Sequence, residues 1–313
     1  MNGVHLIHDL KKANAITHSG KWHADDILST ILLLLVLGEV FLLRVPEVTK
    51  NMVSRFKPPI IYDIGGGAFD HHQANAPIRP NGIRYAAFGL LWRAYGVRIL
   101  KEHYNCSHSD AVAIAEMFDR DFVQGIDYAD NKKDNAPSVH QPMVCLSSLI
   151  ASFNPSWEDP SQEAEEKGFM RALDFAYIAF DESLSKTISK FHARPIVERA
   201  IAENTYKNIL VLPHYVEWKE WLLSSEQPKA KDILYVIFPS KRMKGYDIMS
   251  VPKRIGSKFL RKPFPISWAG LEGHKLEEAL NVPMAYFCHP ERYMASARTI
   301  DAALNMAALS MIS

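Results

Sequence analysis

The run Ile27–Leu43 constrains this chain more than any other stretch, because it is strongly apolar yet interrupted by Ser29, Thr30, Gly38 and Glu39. Its unbroken part, Ile31–Leu37, is far shorter than the about 20 apolar residues that a bilayer crossing needs. The rest of the chain must therefore bury it. The expectation is a buried helix ending near Gly38, then a strand over Val40–Val45. With 313 residues, 48% apolar and 23% charged, the chain can furnish two ordinary domains, each with its own core.

Around that run the first half alternates. Ala13–Thr17 and Pro59–Ile64 read as short strands. Helical periodicity begins near Asp25 and recurs over Tyr85–Tyr95 and Ser109–Asp127, with Ser109 or Ser107 as the N-cap of the last. Such alternation predicts a parallel sheet flanked by helices, which binds ligands at the carboxyl ends of its strands. Asp159-Pro160-Ser161-Gln162 reads as a capping box, with Asp159 at N-cap, Pro160 at N1 and Gln162 at N3. It opens a charge-laced helical connector to about Asn204, expected in two pieces broken near Pro195. Strands follow at Ile209–Leu212, Ile233–Phe238, Tyr246–Val251 and Met284–Cys288, and a final helix near Ala297–Met311. The expected fold is α/β: residues 1–200 hold a parallel sheet and the connector, residues 205–313 a smaller α/β domain, with the active site in a cleft between the lobes.

Three cysteines, Cys106, Cys145 and Cys288, stand far apart without metal-finger spacing, which argues against a disulfide framework. Cys288 precedes His289, but nothing nearby completes a nucleophilic set, so a small core residue is the expectation. The N-terminus does not read as a secretory signal. A cytoplasmic protein without membrane partners is expected, and its oligomeric state is left open. The net charge of +1 advertises no polyanionic partner, so any such partner must meet a local patch.

Chemistry gathers in four segments. These are Thr17–Asp26, with His18, His23, Asp25 and Asp26; Ile60–Gly67, a strand ending in Asp63 and three glycines; Phe69–Gln73, with Asp70, His71 and His72; and Asp121–Asn131, read as a helix end turning into a loop, with Asp127 and Asp130. Each alone is weak, since a lone histidine is usually a satisfied polar residue and a strand-end aspartate often a cap. Together they fall at one edge of the expected sheet. Several carboxylates share such a space only if cations neutralise them. Mixed imidazole and carboxylate ligands suit Mn²⁺, Zn²⁺, Co²⁺ or Fe²⁺, whereas an all-oxygen site would suggest Mg²⁺ or Ca²⁺. Two such ions roughly 3.5–4 Å apart can hold a phosphoryl group and activate water. Asp63 is the candidate bridge between them, and Asp127 or Asp130 the remaining ligand.

Asp70-His71-His72 resembles the signature of the DHH phosphoesterase superfamily, which includes RecJ-type exonucleases, oligoribonucleases and family II inorganic pyrophosphatases. That superfamily opens with H-x3-D-x-D, whereas this chain has His18-x4-His23-x-Asp25. The departure is similar to the Myg (melanocyte proliferating gene) branch, whose eukaryotic members are described as 3′→5′ RNA exonucleases. Tyr62-Asp63-Ile64-Gly65-Gly66, Phe88-Gly89-Leu90-Leu91-Trp92 and Asp127-Tyr128-Ala129-Asp130-Asn131 resemble blocks of that branch, as do Phe153-Asn154-Pro155-Ser156-Trp157, Trp268-Ala269-Gly270-Leu271 and Phe287-Cys288-His289. The resemblance covers nearly the whole chain. It implies a DHH-type N-terminal sheet in which His18, His23 and Asp63 hold one metal and Asp25, Asp63 and His71 the other. Asp130 matches the fourth motif, His72 would face the substrate phosphate, and Asp70 would orient a ligand histidine. Two Mn²⁺ ions are the implied cofactors, with Zn²⁺, Co²⁺ or Mg²⁺ as alternatives.

From Lys241 to Lys262 eight basic residues face only Asp247, with Phe259, Phe264 and Trp268 among or just beyond them. The segment reads either as a solvated charged surface or as a track for a phosphodiester backbone with unpaired bases. Arg292 and Arg298 are further candidates for substrate contact. The leading expectation is two-metal hydrolysis of single-stranded RNA or short oligonucleotides from the 3′ end. The alternatives are a hydrolase of pyrophosphate or a cyclic dinucleotide, or a metal-binding regulatory protein.

Overall fold

A strand that sequence pattern does not announce, Val4–Ile7 (β1), pairs in parallel with Val40–Val45 (β3) in the computed structural model, which describes residues 2–55, 57–131 and 144–312. β3 also pairs in parallel with Ala15–His18 (β2), and β2 with Ile60–Ile61 (β4). The sheet therefore has the order β1-β3-β2-β4, all parallel. The Pro59–Ile64 strand shrinks to two paired residues. Beyond them Tyr62 donates to the Ile16 carbonyl at 3.0 Å and bridges to Phe69.

This register brings two chemical groups together. Ile16 lies opposite Ile61. Two residues further along each chain come His18 and Asp63, so both emerge at the carboxyl edge of the sheet.

The apolar run does form the buried helix, Ala24–Leu37. Ala24 through Leu33 are all buried, which explains why its sequence is apolar nearly all round. Gly38 ends it at φ +78°, donating its N–H to the Leu34 carbonyl at 2.9 Å. The helix packs against Ala87–His103, which is longer than the periodicity of Tyr85–Tyr95 suggests.

Ser107 caps the next helix, His108–Phe118, its Oγ accepting from the Asp110 N–H. The single helix expected over Ser109–Asp127 is instead broken. A π-helical turn occupies Asp119–Val123, and a separate helix runs over Gln124–Asn131, where the sequence suggests a loop. The cause is a fixed anchor. Asp119 and Asp127 both grip the buried Arg79, and the wider turn re-aims the chain between them.

The long helix is Gln162–Ala202 and continues through Pro195. Proline removes one backbone hydrogen bond there, but Ala193, Val197 and Ile201 are buried around it and hold the helix by packing. The capping also differs from expectation. Ser161 caps the helix, its Oγ accepting from Ala164 N, while the Asp159 carboxylate accepts from the Ser161 N–H and hydroxyl one step earlier.

The chain divides into two compact units, residues 1–188 and 189–313. The second is built on Ile209–Val211 (β5), Tyr235–Pro239 (β6), Tyr246–Ser250 (β7), Ala285–Cys288 (β8) and Met294–Ala297 (β9), in the order β5-β6-β7-β9-β8. Only β5 and β6 are parallel. β9 is an addition to the expected strands. It ends at Ala297, so the last helix starts later, at Ile300, capped by Thr299 Oγ1 accepting from Ala302 N. That helix and β6–β9 share one core around Tyr235, Phe264 and Met306. Among the described residues no helix is long and apolar enough to cross a membrane.

Candidate metal centre

At the carboxyl edge of the parallel sheet, five loops and helix ends converge. β2 delivers His18, and the loop after it delivers His23. Asp25 and Asp26 sit in the first turn of Ala24–Leu37, where a helix N-terminus favours carboxylates. Asp63 follows β4, the Gly65–Gly67 turn leads to Asp70, His71 and His72, and Gln124–Asn131 carries Asp130 and Asn131.

Asp63 occupies the centre. It is a buried aspartate in the left-handed region, at φ +56°, fixed by its N–H to the Phe69 carbonyl at 2.9 Å. A strained backbone at a buried charge is what functional sites retain. Its Oδ2 lies 3.3 Å from His18 Nε2 and its Oδ1 2.9 Å from His71 Nε2. His71 Nε2 also stands 3.2 Å from Asp130 Oδ2 and 3.9 Å from Asp25 Oδ2. His23 Nδ1 lies 3.9 Å from Asp130 Oδ1.

Both inward-facing histidines are oriented from behind. His18 Nδ1 lies 2.9 Å from the Ser19 carbonyl and His71 Nδ1 3.2 Å from Asn131 Oδ1, so each Nδ1–H is donated outward and each Nε2 turns to the carboxylates. This is the tautomer that metal-ligating histidines adopt. His72 differs: its Nδ1 is 2.8 Å from Asp70 Oδ1, and its ring is largely exposed. Asp70 in turn accepts from the Gly66 and His72 N–H groups.

The electrostatics are unbalanced. Asp25 is wholly buried, and neither of its oxygens has a hydrogen-bond partner. Burial, reinforced by the charges of Asp63, Asp26 and Asp130, pushes its carboxyl well above the usual range. Burial likewise raises Asp26, against the pull of His18. Burial opposes ionisation of Asp63 as well, yet His18 and then His71 hold its carboxyl below the ordinary value. His18 is pushed up to about 11, first by Asp26 and then by Asp63. His71 is raised by Asp63, which outweighs its burial. Among the described residues the imidazoles are the cations that touch these acids, and the acids exceed them. Orphaned buried oxygens beside imidazole nitrogens form a donor set that fits a divalent transition metal. Four overlapping sets have ligand atoms within 4.8 Å of one another: His18–His23–Asp26, Asp63–His71–His72, His23–Asp25–Asp130 and Asp25–Asp26–Asp63.

The two acids left open by sequence are separated here. Asp130 joins the cluster. Asp127, one helical turn away, points elsewhere: its Oδ2 lies 2.7 Å from Arg79 Nη2 and its Oδ1 accepts from the Gly89 N–H at 3.1 Å. A Cβ on Gly89 would collide with that carboxylate. Burial pushes Asp127 up to about 7 despite the guanidinium. Arg292 and Arg298 lie in the second unit, where Arg292 donates to the Phe264 carbonyl and Arg298 lies over the Tyr286 ring. Cys288 is a buried core residue as expected, its thiol pushed up to about 11 by burial.

Three participants lie outside the ligand and substrate sets expected from sequence. Asp26 accepts from Thr17 Oγ1 and the His23 N–H and touches His18, although adjacent helical residues point about 100° apart and only one is expected inside. Asn131 orients His71. Arg84 lines a cavity of about 990 Å³ together with His18, His23, Asp63, His72 and Asp130. No pattern singles out Arg84 in the sequence.

A family model described as an uncharacterised protein family (UPF0160) and labelled as the MYG1 exonuclease family matches residues 14–311. The chain is 27% identical over 325 residues to the MYG1 exonuclease of Mus musculus, covering 93% of this chain and 83% of that protein. It is also 27% identical over 331 residues to a MYG1 protein of Saccharomyces cerevisiae, covering 94% of each. Among solved structures, a pGpG-specific phosphodiesterase of Vibrio aligns over 96% of this chain and 98% of its own at 14% identity, with a TM-score of 0.26.

Proposed function

The chain belongs to the uncharacterised protein family UPF0160, and from that membership and the geometry of the site we propose that it is a metal-dependent phosphodiesterase of the DHH type that trims single-stranded RNA or short oligonucleotides from the 3′ end. The observation that carries this reading is Asp25: a wholly buried carboxylate, unpartnered at both oxygens, facing Asp63, Asp130 and His71 Nε2. The chain supplies too little positive charge for such a group, and an uncompensated buried charge costs several kcal/mol, on the order of 3–5. Two divalent cations, Mn²⁺ foremost and Zn²⁺, Co²⁺ or Mg²⁺ as alternatives, would balance it.

His18, His23 and Asp63 would hold one ion, and Asp25, Asp63, His71 and Asp130 the other. When bound, such a pair polarises a phosphoryl oxygen and lowers the pKa of water toward neutrality. The remaining tasks fall to the chain itself. The Ser19 carbonyl, at Nδ1, keeps His18 aimed inward, and Asn131 does the same for His71. His72, held by Asp70, keeps Nε2 for a substrate phosphate oxygen or the leaving group. Arg84 offers a guanidinium that can take a phosphate on two donors. No side-chain nucleophile is required. In this scheme residues 1–200 form the catalytic domain with its helical connector and residues 205–313 a substrate-binding domain. Mammalian relatives named exonucleases support a nucleic-acid substrate.

The test is a panel with Mn²⁺: 5′- and 3′-labelled single-stranded RNA, pyrophosphate and a cyclic dinucleotide. Stepwise shortening of the 5′-labelled strand is expected. Turnover of only the small phosphates would move the substrate class, and no turnover despite tight Mn²⁺ binding would make the protein a non-catalytic metal binder.

A further inference from the structure

The basic segment Lys241–Lys262 does not act as one patch. Arg242 donates to Asp247 Oδ1 at 3.0 Å, and the Lys241 ammonium lies over the Tyr215 ring. Arg261 directs its guanidinium to the carbonyls of Ala230 and Ile233, at 2.8 and 2.7 Å, and to that of Lys231. Lys262 has contacts of its own, and Lys244 sits in the turn between β6 and β7.

What remains is a turn from Pro252 to Leu260, and it is built rather than loose. Pro252 and Leu260 bridge its ends, and Lys253 N–H donates to the Phe259 carbonyl at 2.8 Å. Inside it, Ser257 N–H donates to the Arg254 carbonyl and Phe259 N–H to Ser257 Oγ, around Gly256 at φ +73°. From this frame Lys253, Arg254 and Lys258 point to solvent, and among the described residues none of the three has a carboxylate partner. No acidic residue occurs between Asp247 and Glu272. Phe259 is 74% exposed and Ile255 61%.

An apolar ring held out in water on a tied turn, between unpaired cations, is shaped for a polyanion that carries exposed flat groups. Three cations attract any phosphodiester backbone, but the ring contributes only if a base is free to stack on it. A turn already ordered loses little entropy on binding. We propose that the Pro252–Leu260 turn is a contact surface for single-stranded nucleic acid, with a base stacked on Phe259 and phosphates on Lys253, Arg254 and Lys258. The choice of nucleic acid over an anionic lipid surface rests on the phosphodiesterase reading above.

The experiment uses the full chain in EDTA, so that no strand is cut. Binding of a labelled 12-nucleotide single-stranded RNA is compared with the same sequence as a duplex and with phosphatidylserine vesicles. Phe259→Ala should weaken single-strand binding about tenfold, in line with one lost stacking contact. It should leave duplex binding within about twofold, and Phe259→Trp should restore the loss. Lys253→Glu with Lys258→Glu should weaken both nucleic acids and flatten the salt dependence. Thermal melting checks that each variant folds. Wild type that binds no single strand, or Phe259→Ala that binds it unchanged, overturns the proposal. Loss confined to vesicles would overturn it in favour of a membrane surface. Wild type that binds the strand through this turn but cleaves no phosphodiester with Mn²⁺ would sink the enzymatic reading alone.

Discussion

His71 Nε2 and Asp63 Oδ1 stand 2.9 Å apart, yet neither atom makes a hydrogen bond of good geometry. Each is buried, and His71 Nε2 lies within 3.9 Å of both Asp130 Oδ2 and Asp25 Oδ2 as well. Two buried donor atoms this close, neither with another hydrogen-bond partner, are placed as two ligands of one cation would be. Asp63 holds its place with a left-handed backbone, which asparagine tolerates nearly as well as aspartate and alanine less well. Asp63→Asn is therefore a cleaner probe than Asp63→Ala, because it removes the charge and keeps the turn.

Without metal, stability should fall as pH rises from neutrality. His18 is raised from 6.5 to about 11 in the fold, so its contribution is complete below about 6.5 and disappears as pH climbs toward 11. Asp25 is also raised, so it works in the same direction above its ordinary range. Asp63 is lowered and has the opposite sign, losing its contribution only in acid. Melting in EDTA between pH 6 and 9 should give a falling midpoint, and Mn²⁺ should stabilise more at pH 9 than at pH 6 because metal competes with those protons. A flat profile in EDTA would contradict the assignment.

The loop that leads from His18 to His23 is clamped by distant residues. Asn154 Oδ1 accepts from the Trp22 N–H and its Nδ2 donates to the Trp22 carbonyl, at 3.1 and 3.0 Å. Arg44 donates to the carbonyls of His18 and Gly20. Asn154→Ala should lower Mn²⁺ affinity by roughly tenfold and stability by about 1–2 kcal/mol. Calorimetric titration and melting on the same sample separate the two effects, and unchanged Mn²⁺ affinity would make Asn154 merely structural.

Asp127 and Asp130 should fail in different ways. Asp127→Ala takes one carboxylate from a buried guanidinium that Asp119 still holds, and should cost about 2 kcal/mol with Mn²⁺ binding retained. Asp130→Ala should lower Mn²⁺ affinity and leave the metal-free melting point unchanged or higher, because it relieves repulsion within the acidic group. Swapped phenotypes would exchange the two roles.

His72→Ala should keep Mn²⁺ affinity within a few-fold and lower kcat on RNA by about a hundredfold, the ordinary scale for one positioned proton donor. Loss of metal comparable to that of His71→Ala would make His72 a ligand instead.

Much of the cluster is legible in the sequence because its geometry is a consequence of register. A parallel sheet with strands ending at His18 and before Asp63 must place those two side by side, and the glycine turn must fold His71 back toward them. Less legible are features that depend on tertiary anchors. The π turn at Asp119–Val123 exists because Arg79 fixes two aspartates at once, and nothing in local periodicity reports that. Pro195 reads as a helix break until the buried Val197 and Ile201 are known. Asp26 stays outside the expected ligand set because the superfamily motif is matched by Asp25 alone, while the start of this helix is buried all round and turns Asp26 toward Thr17 and His18 of β2. The cations of Lys241–Lys262 read as one patch because their separate partners, Asp247, Tyr215 and three carbonyls, are distant in sequence or in the backbone.

The most direct measurement is calorimetric titration of Mn²⁺ into the metal-free wild type and Asp63→Asn, with the same samples assayed on 5′-labelled RNA. Wild type should take up two equivalents and shorten the strand, and Asp63→Asn should fold, bind Mn²⁺ at least a hundredfold more weakly and leave the RNA intact. Two equivalents bound with wild-type affinity by Asp63→Asn, or no Mn²⁺ bound by the wild type, would contradict a metal centre built around Asp63.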